Sequence, residues 1–244
     1  MIADTADHAK RPRRKHTAVL REWLPLAGAR VADIGCGQGG VARILAREAA
    51  SVIGIDPQHA ALLHAREADD KAEASGPIHY IAAGGETLPL ANASMDTAVC
   101  FNALHHVPVE HQDAALAEAW RILRPGARLL VVEPIAEGPV FEMVQPVEDE
   151  TEVRAAAYAA LGRAAAQTGW HLMHESEYAA PVRYASFQAF RDNIVAVDPA
   201  REPAVERHEA AMRARFEASA RQADGAFWFD QPCRLTVLVK ASDD

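Results

Sequence analysis

The 244-residue sequence is poor in cysteine and has no long hydrophobic run. Its three cysteines, Cys36, Cys100 and Cys233, lie far apart and form no C-x-x-C pair, which argues against a disulfide framework and favours a reducing compartment. No apolar stretch approaches the roughly 18 residues that a membrane-spanning helix needs, and the N-terminus resembles no signal or transit peptide. We therefore expect a cytoplasmic protein with no membrane partner.

Positive charge is also scarce, because 25 Lys and Arg stand against 34 Asp and Glu and leave a formal net charge of -9. Binding along a nucleic-acid backbone draws on many Lys and Arg contacts, so we expect no nucleic-acid partner. The one dense basic run, residues 10–16, precedes a predicted helix at 17–24. This run is either a solvated lead-in to the helix, a mobile lid or an RNA-binding arm.

Short hydrophobic runs alternate with helical stretches from residue 30, a pattern typical of a parallel sheet covered by helices. The predicted strands are 30–34, 51–55, 78–82, 96–101, 127–133, 170–178 and 226–240. The predicted helices are 41–48, 58–72, 110–123 and 148–168, and a polar, helix-prone insertion covers 181–225. The expected fold is therefore α/β, a doubly wound, mostly parallel seven-stranded sheet with helices on both faces.

The strongest motif runs from Val31 to Gly40, where a strand enters a glycine-rich turn that leads into a helix. Gly35, Gly37 and Gly40 also satisfy the dinucleotide fingerprint G-x-G-x-x-G. A carboxylate two residues before the first glycine would repel the pyrophosphate of NAD, whereas it suits an ammonium group. Asp33 therefore favours the amino-acid end of S-adenosyl-L-methionine, and the alternative is that Asp33 only caps the turn.

Asp56 ends the second predicted strand, about 20 residues after the glycine turn. An acid at this place accepts hydrogen bonds from the two ribose hydroxyls of either nucleotide class. It therefore predicts a ribose and does not choose the cofactor. The alternative is that Asp56, which precedes Pro57, is a helix N-cap.

Six ordered blocks resemble the class I (Rossmann-like) S-adenosylmethionine-dependent methyltransferases, within them the group of the ubiquinone and menaquinone biosynthesis enzymes, which carry the type 11 methyltransferase domain. The blocks are residues 33–39, 54–57, 85–90, 94–99, 102–107 and 120–126. The resemblance implies binding of S-adenosyl-L-methionine, with S-adenosyl-L-homocysteine as product. The chain length predicts a single domain of residues 1–244, with an N-terminal helix or lid (1–24), a cofactor-binding core (25–134) and C-terminal strands (135–244) that carry a lid insertion (181–225).

The resemblance also implies which residues contact the cofactor. Those near its methionine part are Asp33, Gly35, Cys36, Gly37 and Gly39; those near the ribose are Asp56 and Pro57; those near adenine are Gly85 and Glu86; those beneath the sulfonium are Phe101 and Asn102. Family members often have an Asp where this chain has Gly84. The contact with the adenine amino group must then come from Glu86, a backbone carbonyl or water.

His105 and His106 are the candidate catalytic residues, since an imidazole can contact the cofactor or act as a base near the acceptor. The other interpretation is a structural or solvated role. Their spacing to His111 matches no common zinc pattern, so no metal is expected. Asn102 is followed by Ala103 and not by the Pro-Pro-aromatic sequence of base methylases, which again disfavours nucleic acid.

The sequence therefore predicts in-line methyl transfer to a small-molecule acceptor by a monomer or homodimer. The alternatives are a non-catalytic S-adenosylmethionine-binding protein, an NAD-dependent oxidoreductase and a transferase that moves another group. We expect residues 1–24 and 181–225 to cover the site and to shape the acceptor pocket. Its aromatic candidates are Trp23, Phe141, Tyr158, Tyr178, Tyr184, Phe187, Phe190, Phe227 and Trp228.

Overall fold

The structure is a computed structural model that describes residues 11–71, 76–167 and 169–242. Residues 1–10 of the expected N-terminal lid lie outside the described residues, as do the last positions of the predicted helices 58–72 and 148–168. None of the helices in the described ranges combines the length and the apolar character that crossing a membrane requires.

A mostly parallel sheet forms the centre of the fold. Its strands are β1 (Arg30–Ile34), β2 (Ser51–Asp56), β3 (Ile78–Ala82), β4 (Met95–Phe101), β5 (Leu123–Pro134), β6 (Trp170–Tyr184), β7 (Arg221–Ala223) and β8 (Ala226–Lys240). Seven strands follow the order β3-β2-β1-β4-β5-β8-β6, and β7 pairs with β8 off this path. The predicted seven-stranded Rossmann-like sheet is confirmed, with β7 as an unpredicted addition.

Helices alternate with these strands along the chain. Those in the described residues are α1 (His16–Trp23), α2 (Gly40–Leu45), α3 (His59–Lys71), α4 (Gln112–Ile122), α5 (Pro139–Val144), α6 (Thr151–Ala166), α7 (Phe187–Val197) and α8 (Glu202–Ser219). The predicted helix 110–123 begins as a 3-10 turn at Val109–His111 and becomes α-helical only from Gln112. Strand β6 continues to Tyr184, so the first residues of the predicted insertion are strand and not helix.

The described chain divides into two compact units. The core unit comprises residues 17–133, 155–176 and 234–242, and the accessory unit comprises 11–16, 134–154 and 177–233. The expectation of a single domain stays a prediction.

Apolar side chains from the strands and from α4 and α6 form the centre of the core unit, among them Ile34, Ala98, Leu116, Val131 and Ala160. Strands β1 and β4 are almost wholly buried, which explains why they read as continuous hydrophobic runs and not as alternating ones. Burying one Val, Leu or Ile side chain contributes about 1.5–3 kcal/mol, so this cluster holds the strands in place.

The accessory unit has a separate aromatic core. Phe187 and Phe190 of α7 pack with Phe216 of α8 and with Phe229 of β8. The Oγ of Ser186 caps α7 by accepting the Ala189 N–H at 3.1 Å. Phe187 and Phe190 are 5% and 1% exposed, so these two aromatic candidates of the predicted acceptor pocket are core residues.

Candidate functional site

The candidate site lies where the parallel strands of the core unit end. The register places Ile34 of β1 beside Ile55 of β2 and Cys100 of β4, so the residues that follow them meet at one edge. Strands β1 and β4 are neighbours in the sheet but not in sequence, which makes this a topological switch point. Open sheets of this class bind ligands outside the carboxyl ends of the strands at such a point.

The glycine turn after β1 is held by its own backbone. The N–H groups of Gly35 and Cys36 both donate to the Ile55 carbonyl, at 2.7 and 3.0 Å, and the Gly39 N–H donates to the Cys36 carbonyl at 2.9 Å. That these amides form hydrogen bonds within the protein was not predicted from the motif. The turn therefore has its shape before any ligand contributes to it.

The three glycines of the turn differ in the space around them. All three have positive φ, at 74° for Gly35, 50° for Gly37 and 75° for Gly39. A Cβ at Gly35 would collide with the Ala103 side chain, and one at Gly39 would collide with the Tyr80 hydroxyl. A Cβ at Gly37 would meet nothing within 4 Å. Packing thus explains Gly35 and Gly39, whereas Gly37 borders space that a ligand can fill.

Asp33 is the most unusual side chain of the site. It is 1% exposed, and neither carboxylate oxygen has a hydrogen-bond partner among the described residues. Burial, with a smaller contribution from the Asp56 charge, raises the pKa of Asp33 from 3.8 to about 7; the Ala42 backbone N–H opposes this shift without reaching hydrogen-bond geometry. The structure gives Asp33 no turn-capping bond, and an unpaired buried carboxylate is costly unless a ligand pairs with it.

Asp56 joins the ends of β1 and β2. Its Oδ2 accepts the Gly37 N–H and its Oδ1 accepts the Gln58 N–H, each at 2.8 Å. It therefore fixes the glycine turn and closes a local Asx turn before α3. It is not the N-cap residue of α3, as the alternative interpretation had it, because the first helical bond runs from the Leu62 N–H to the Gln58 carbonyl. Each carboxylate oxygen has a second lone pair, so both can still accept a hydroxyl. Pro57 is exposed.

The loop after β3 brings a carboxylate to the place left by the missing family Asp. A Cβ at Gly84 would collide with the carboxylate group of Glu86, which folds back over this glycine. The turn is closed by the Thr87 N–H, which donates to the Gly84 carbonyl at 3.3 Å. Gly85 packs closely on the core, since a Cβ there would lie 3.5 Å from both Ala115 and Ile34.

The loop after β4 carries a further side chain with an unpartnered polar atom. Asn102 adopts a left-handed conformation with φ 51°, and its backbone N–H donates to the Val132 carbonyl at 2.8 Å. Its Oδ1 is buried and has no hydrogen-bond partner among the described residues. Phe101, the last residue of β4, is half-buried. A buried amide oxygen without a partner fits a site that expects a donor from a ligand.

Glu133, near the end of β5, is a site residue that the sequence analysis missed. Its Oε1 accepts the N–H groups of Ala103 and Leu104 at 3.1 and 2.9 Å, and its Oε2 pairs with Nδ1 of His105. One carboxylate thus holds the whole loop after β4. A lone acid directly after the apolar run Leu129–Val132 was the signal that could have found it.

The two candidate catalytic histidines differ in surroundings. His105 is 5% exposed and is held by Glu133, whereas His106 is exposed. Their ring centroids lie 4.0 Å apart. The structure therefore gives His105 a positioned imidazole, and a catalytic role for either residue stays a prediction.

Three buried acids give this edge of the sheet a negative potential. Asp33, Asp56 and Glu133 are each less than 9% exposed. Burial raises the pKa of the Cys36 thiol, and Asp33 and Asp56 add to the effect; burial, Glu133 and Asp33 raise that of Cys100 in the same way. Cys36 is therefore a protonated small residue of the turn and no nucleophile. The same potential favours a cationic ligand and opposes a pyrophosphate.

The comparisons with known proteins agree with this geometry. Residues 32–131 match the family of the methyltransferase domain. The chain is 39% identical over 126 residues to a ubiquinone biosynthesis O-methyltransferase of Paracidovorax citrulli, covering 48% of this chain and 50% of the relative. It is 34% identical over 125 residues to a tRNA U34 carboxymethyltransferase of Methylococcus capsulatus, covering 50% and 37%. The chain thus spans half or less of the length of these curated relatives.

Likeness to a solved structure extends further along the chain. A protein of Bacillus halodurans C-125 with a provisional methyltransferase assignment has a TM-score of 0.64 at 20% identity, covering 93% of this chain and 99% of that one. At this identity the likeness concerns the fold alone. Residues 32–131 therefore match the methyltransferase domain family, and the chain has the Rossmann-like fold of its solved methyltransferase neighbour.

Proposed function

We propose that this chain transfers a methyl group from S-adenosyl-L-methionine to a small molecule. The observation that carries the proposal is Asp33, a buried carboxylate with two unpartnered oxygens at the end of β1. An ammonium group paired with it would repay the cost of burying the charge. The α-amino group of the cofactor is such a cation, whereas a nicotinamide dinucleotide brings a pyrophosphate to this turn.

The other residues fit the remaining parts of the cofactor. The open side of Gly37 leaves room for the methionine chain, and the free lone pairs of Asp56 suit the ribose hydroxyls. Glu86 offers an acceptor to the adenine amino group in the space where the family Asp would stand. Asn102 and Phe101 follow β4 on the same edge, next to the predicted position of the sulfonium.

The bound cofactor supplies an already activated methyl group, so the chain has to orient the acceptor and exclude water. Alignment of this kind contributes up to about 7–11 kcal/mol to lowering a barrier. Glu133 fixes the backbone of Ala103 and Leu104 and holds the His105 ring, which gives the acceptor side one rigid wall. A base is needed only for a weakly acidic hydroxyl or a protonated amine, and His105 is our candidate.

A small acceptor is favoured over tRNA, although one relative is a tRNA U34 carboxymethyltransferase. The net charge of -9 and the isoelectric point near 5.7 oppose binding along a polyanion. The O-methyltransferase relative makes an oxygen acceptor our first choice. A cytoplasmic location and a monomeric or homodimeric state complete the proposal and rest on composition alone.

Calorimetry on the full chain tests the cofactor. S-adenosylmethionine and S-adenosylhomocysteine should bind, and NAD and NADP should not. Release of S-adenosylhomocysteine in the presence of a panel of phenols, enols and amines then separates an enzyme from a non-catalytic binder. Binding of NAD alone would overturn the proposal, and methylation of total tRNA without any small-molecule turnover would overturn the acceptor class.

A further inference from the structure

The accessory unit contains a cavity of about 290 Å³, and none of the residues that line it belongs to the candidate cofactor site. Three arginines line it, Arg11, Arg13 and Arg221, together with the aromatic ring of Trp228. Its volume lies just below the range for small-molecule sites, about 300–1,000 Å³. A ligand of one or two rings is the size that such a space admits.

Two of the three arginines are paired with acids. Arg11 donates to Glu177 at 2.8 Å and to Glu137 at 2.9 Å, and its side chain is only 12% exposed. Arg13 donates from Nε to Oδ1 of Asp230 at 2.7 Å. These ion pairs hold the wall in place, and in them two arginines face three carboxylates, Glu137, Glu177 and Asp230. Any uncompensated positive charge must therefore come from the third arginine.

Arg221 supplies that charge, since it forms no ion pair within the described ranges. It opens β7 and stands opposite Trp228 in the antiparallel pairing with β8. The hairpin turn is Asp224-Gly225 with φ of 53° and 66°, a pair that favours a tight two-residue turn and fixes this register. The guanidinium carbon of Arg221 consequently lies 5.8 Å from the centre of the Trp228 ring.

The remaining walls are rigid and largely apolar. The indole Nε1 of Trp228 donates to the Ala223 carbonyl at 3.3 Å, which limits rotation of the ring. Pro139 and Pro232 line the cavity near it. Residues 12–14 are fastened alongside β6, because the Arg14 N–H donates to the Ala179 carbonyl and the Ala179 N–H donates to the Pro12 carbonyl, each at 3.0 Å.

We propose that this cavity binds a small planar carboxylate, with the carboxylate on Arg221 and the ring against Trp228. A guanidinium recognises a carboxylate through two parallel N–H donors, and an indole face and proline rings suit a flat apolar body. The preformed hairpin holds both groups before the ligand arrives, which reduces the ordering that binding requires. The proposal does not depend on methyl transfer.

Binding of 2-naphthoate to the full chain, without cofactor, tests the site by calorimetry and tryptophan fluorescence. We expect 2-naphthoate to bind and to alter the fluorescence, and the uncharged 2-naphthalenemethanol to bind at least tenfold more weakly. Arg221→Gln should weaken the binding of 2-naphthoate about tenfold, so that its affinity equals that of the alcohol. Trp228→Leu should weaken the binding of both compounds and remove the fluorescence change.

Arg215→Gln is the matched control, because Arg215 belongs to the same unit and pairs with Glu142 outside the cavity. This variant should bind 2-naphthoate as the parent does, and melting temperatures show that each variant is folded. Equal affinity for the acid and the alcohol would overturn the proposal. So would unchanged 2-naphthoate binding in Arg221→Gln, or no binding by the parent at millimolar concentration. None of these results bears on S-adenosylmethionine.

Discussion

At the scale of single residues, Asp33 links ligand binding to stability. Its pKa rises from 3.8 to about 7 on folding, mainly because the carboxylate is buried. Between about pH 4 and pH 7 the folded chain holds this proton and the unfolded chain does not, so the free energy of unfolding falls as the pH rises through that window. Above pH 7 the ligand-free protein has lost this whole contribution to its free energy of unfolding, which is about 4 kcal/mol at most.

Asp33→Asn should therefore stabilise the ligand-free protein at pH 8 by about 2–4 kcal/mol and change its stability little near pH 4. The same variant should lose binding of S-adenosylhomocysteine, because the neutral amide cannot pair with the ammonium group. Urea unfolding across the pH range and calorimetry measure the two effects. A variant that is less stable than the parent at pH 8 would show that Asp33 is stabilised inside the free protein.

Glu86 allows a second prediction at this scale, because Gly84 and Glu86 compete for one space. Glu86→Ala should weaken S-adenosylhomocysteine binding by about 1–3 kcal/mol, the cost of leaving a polar partner unsatisfied. Adding Gly84→Asp to Glu86→Ala should restore binding, whereas Gly84→Asp alone sets two carboxylates against each other. The readout is the preference for S-adenosylhomocysteine over S-inosylhomocysteine, which lacks the amino group. If Glu86→Ala keeps that preference, the acceptor is a backbone carbonyl or water.

At the scale of elements, the glycine turn separates folding from binding. Gly37 and Gly39 both have positive φ, but only at Gly39 would a Cβ strike a neighbour, the Tyr80 hydroxyl. Gly37→Ala should cost about 1–2 kcal/mol of stability from backbone strain. It should also weaken the binding of S-adenosylhomocysteine strongly, because the alanine methyl group enters the space proposed for the ligand. Gly39→Ala should cost more stability, because overpacking adds to the strain.

Thermal unfolding and calorimetry on these two variants provide the measurement, and each variant controls for the other. The assignment of Gly37 to the ligand fails if Gly37→Ala binds S-adenosylhomocysteine as tightly as the parent while Gly39→Ala does not. That result would move the ligand contact to the Tyr80 side of the turn.

At the scale of the whole molecule, periodicity predicted the elements and topology decided the site. The predicted strands 30–34 and 78–82 match the structure to the residue, because each is a short, mainly apolar run bounded by turn residues, and the strand expected near 226–240 is β8. Glu133 was missed because its partners, Ala103 to His105, are some 30 residues away in sequence. The hydrogen bonds from the Gly35 and Cys36 amides to the Ile55 carbonyl were missed for the same reason, because they form only when β1 pairs with β2.

The boundaries that failed also have a physical cause. Val109–His111 has helical composition, but the chain leaves Pro108 as a 3-10 turn before α4 begins. The insertion at 181–225 read as polar and helix-prone, and the sequence alone could not show that its phenylalanines face one another in a separate core. Such packing depends on which faces α7 and α8 bury, and helical spacing gives the face but not its partner.

The two units lead to the last prediction, since every proposed cofactor contact lies in the core unit. Phe216 of α8 is fully buried and contacts the rings of Phe187, Phe190 and Phe229, so Phe216→Ala should destabilise the accessory unit by about 3–5 kcal/mol through the cavity it leaves. Leu116→Ala in the core unit is the matched control and should cost a similar amount. Hydrogen exchange should accelerate in α7 and α8 for the first variant and in α4 for the second.

At a temperature where both remain folded, S-adenosylhomocysteine should still protect residues 33–39 from exchange in Phe216→Ala. If exchange in Phe216→Ala accelerates equally in β1 and α4, the two units unfold as one body, and the cofactor site depends on the accessory core for its stability.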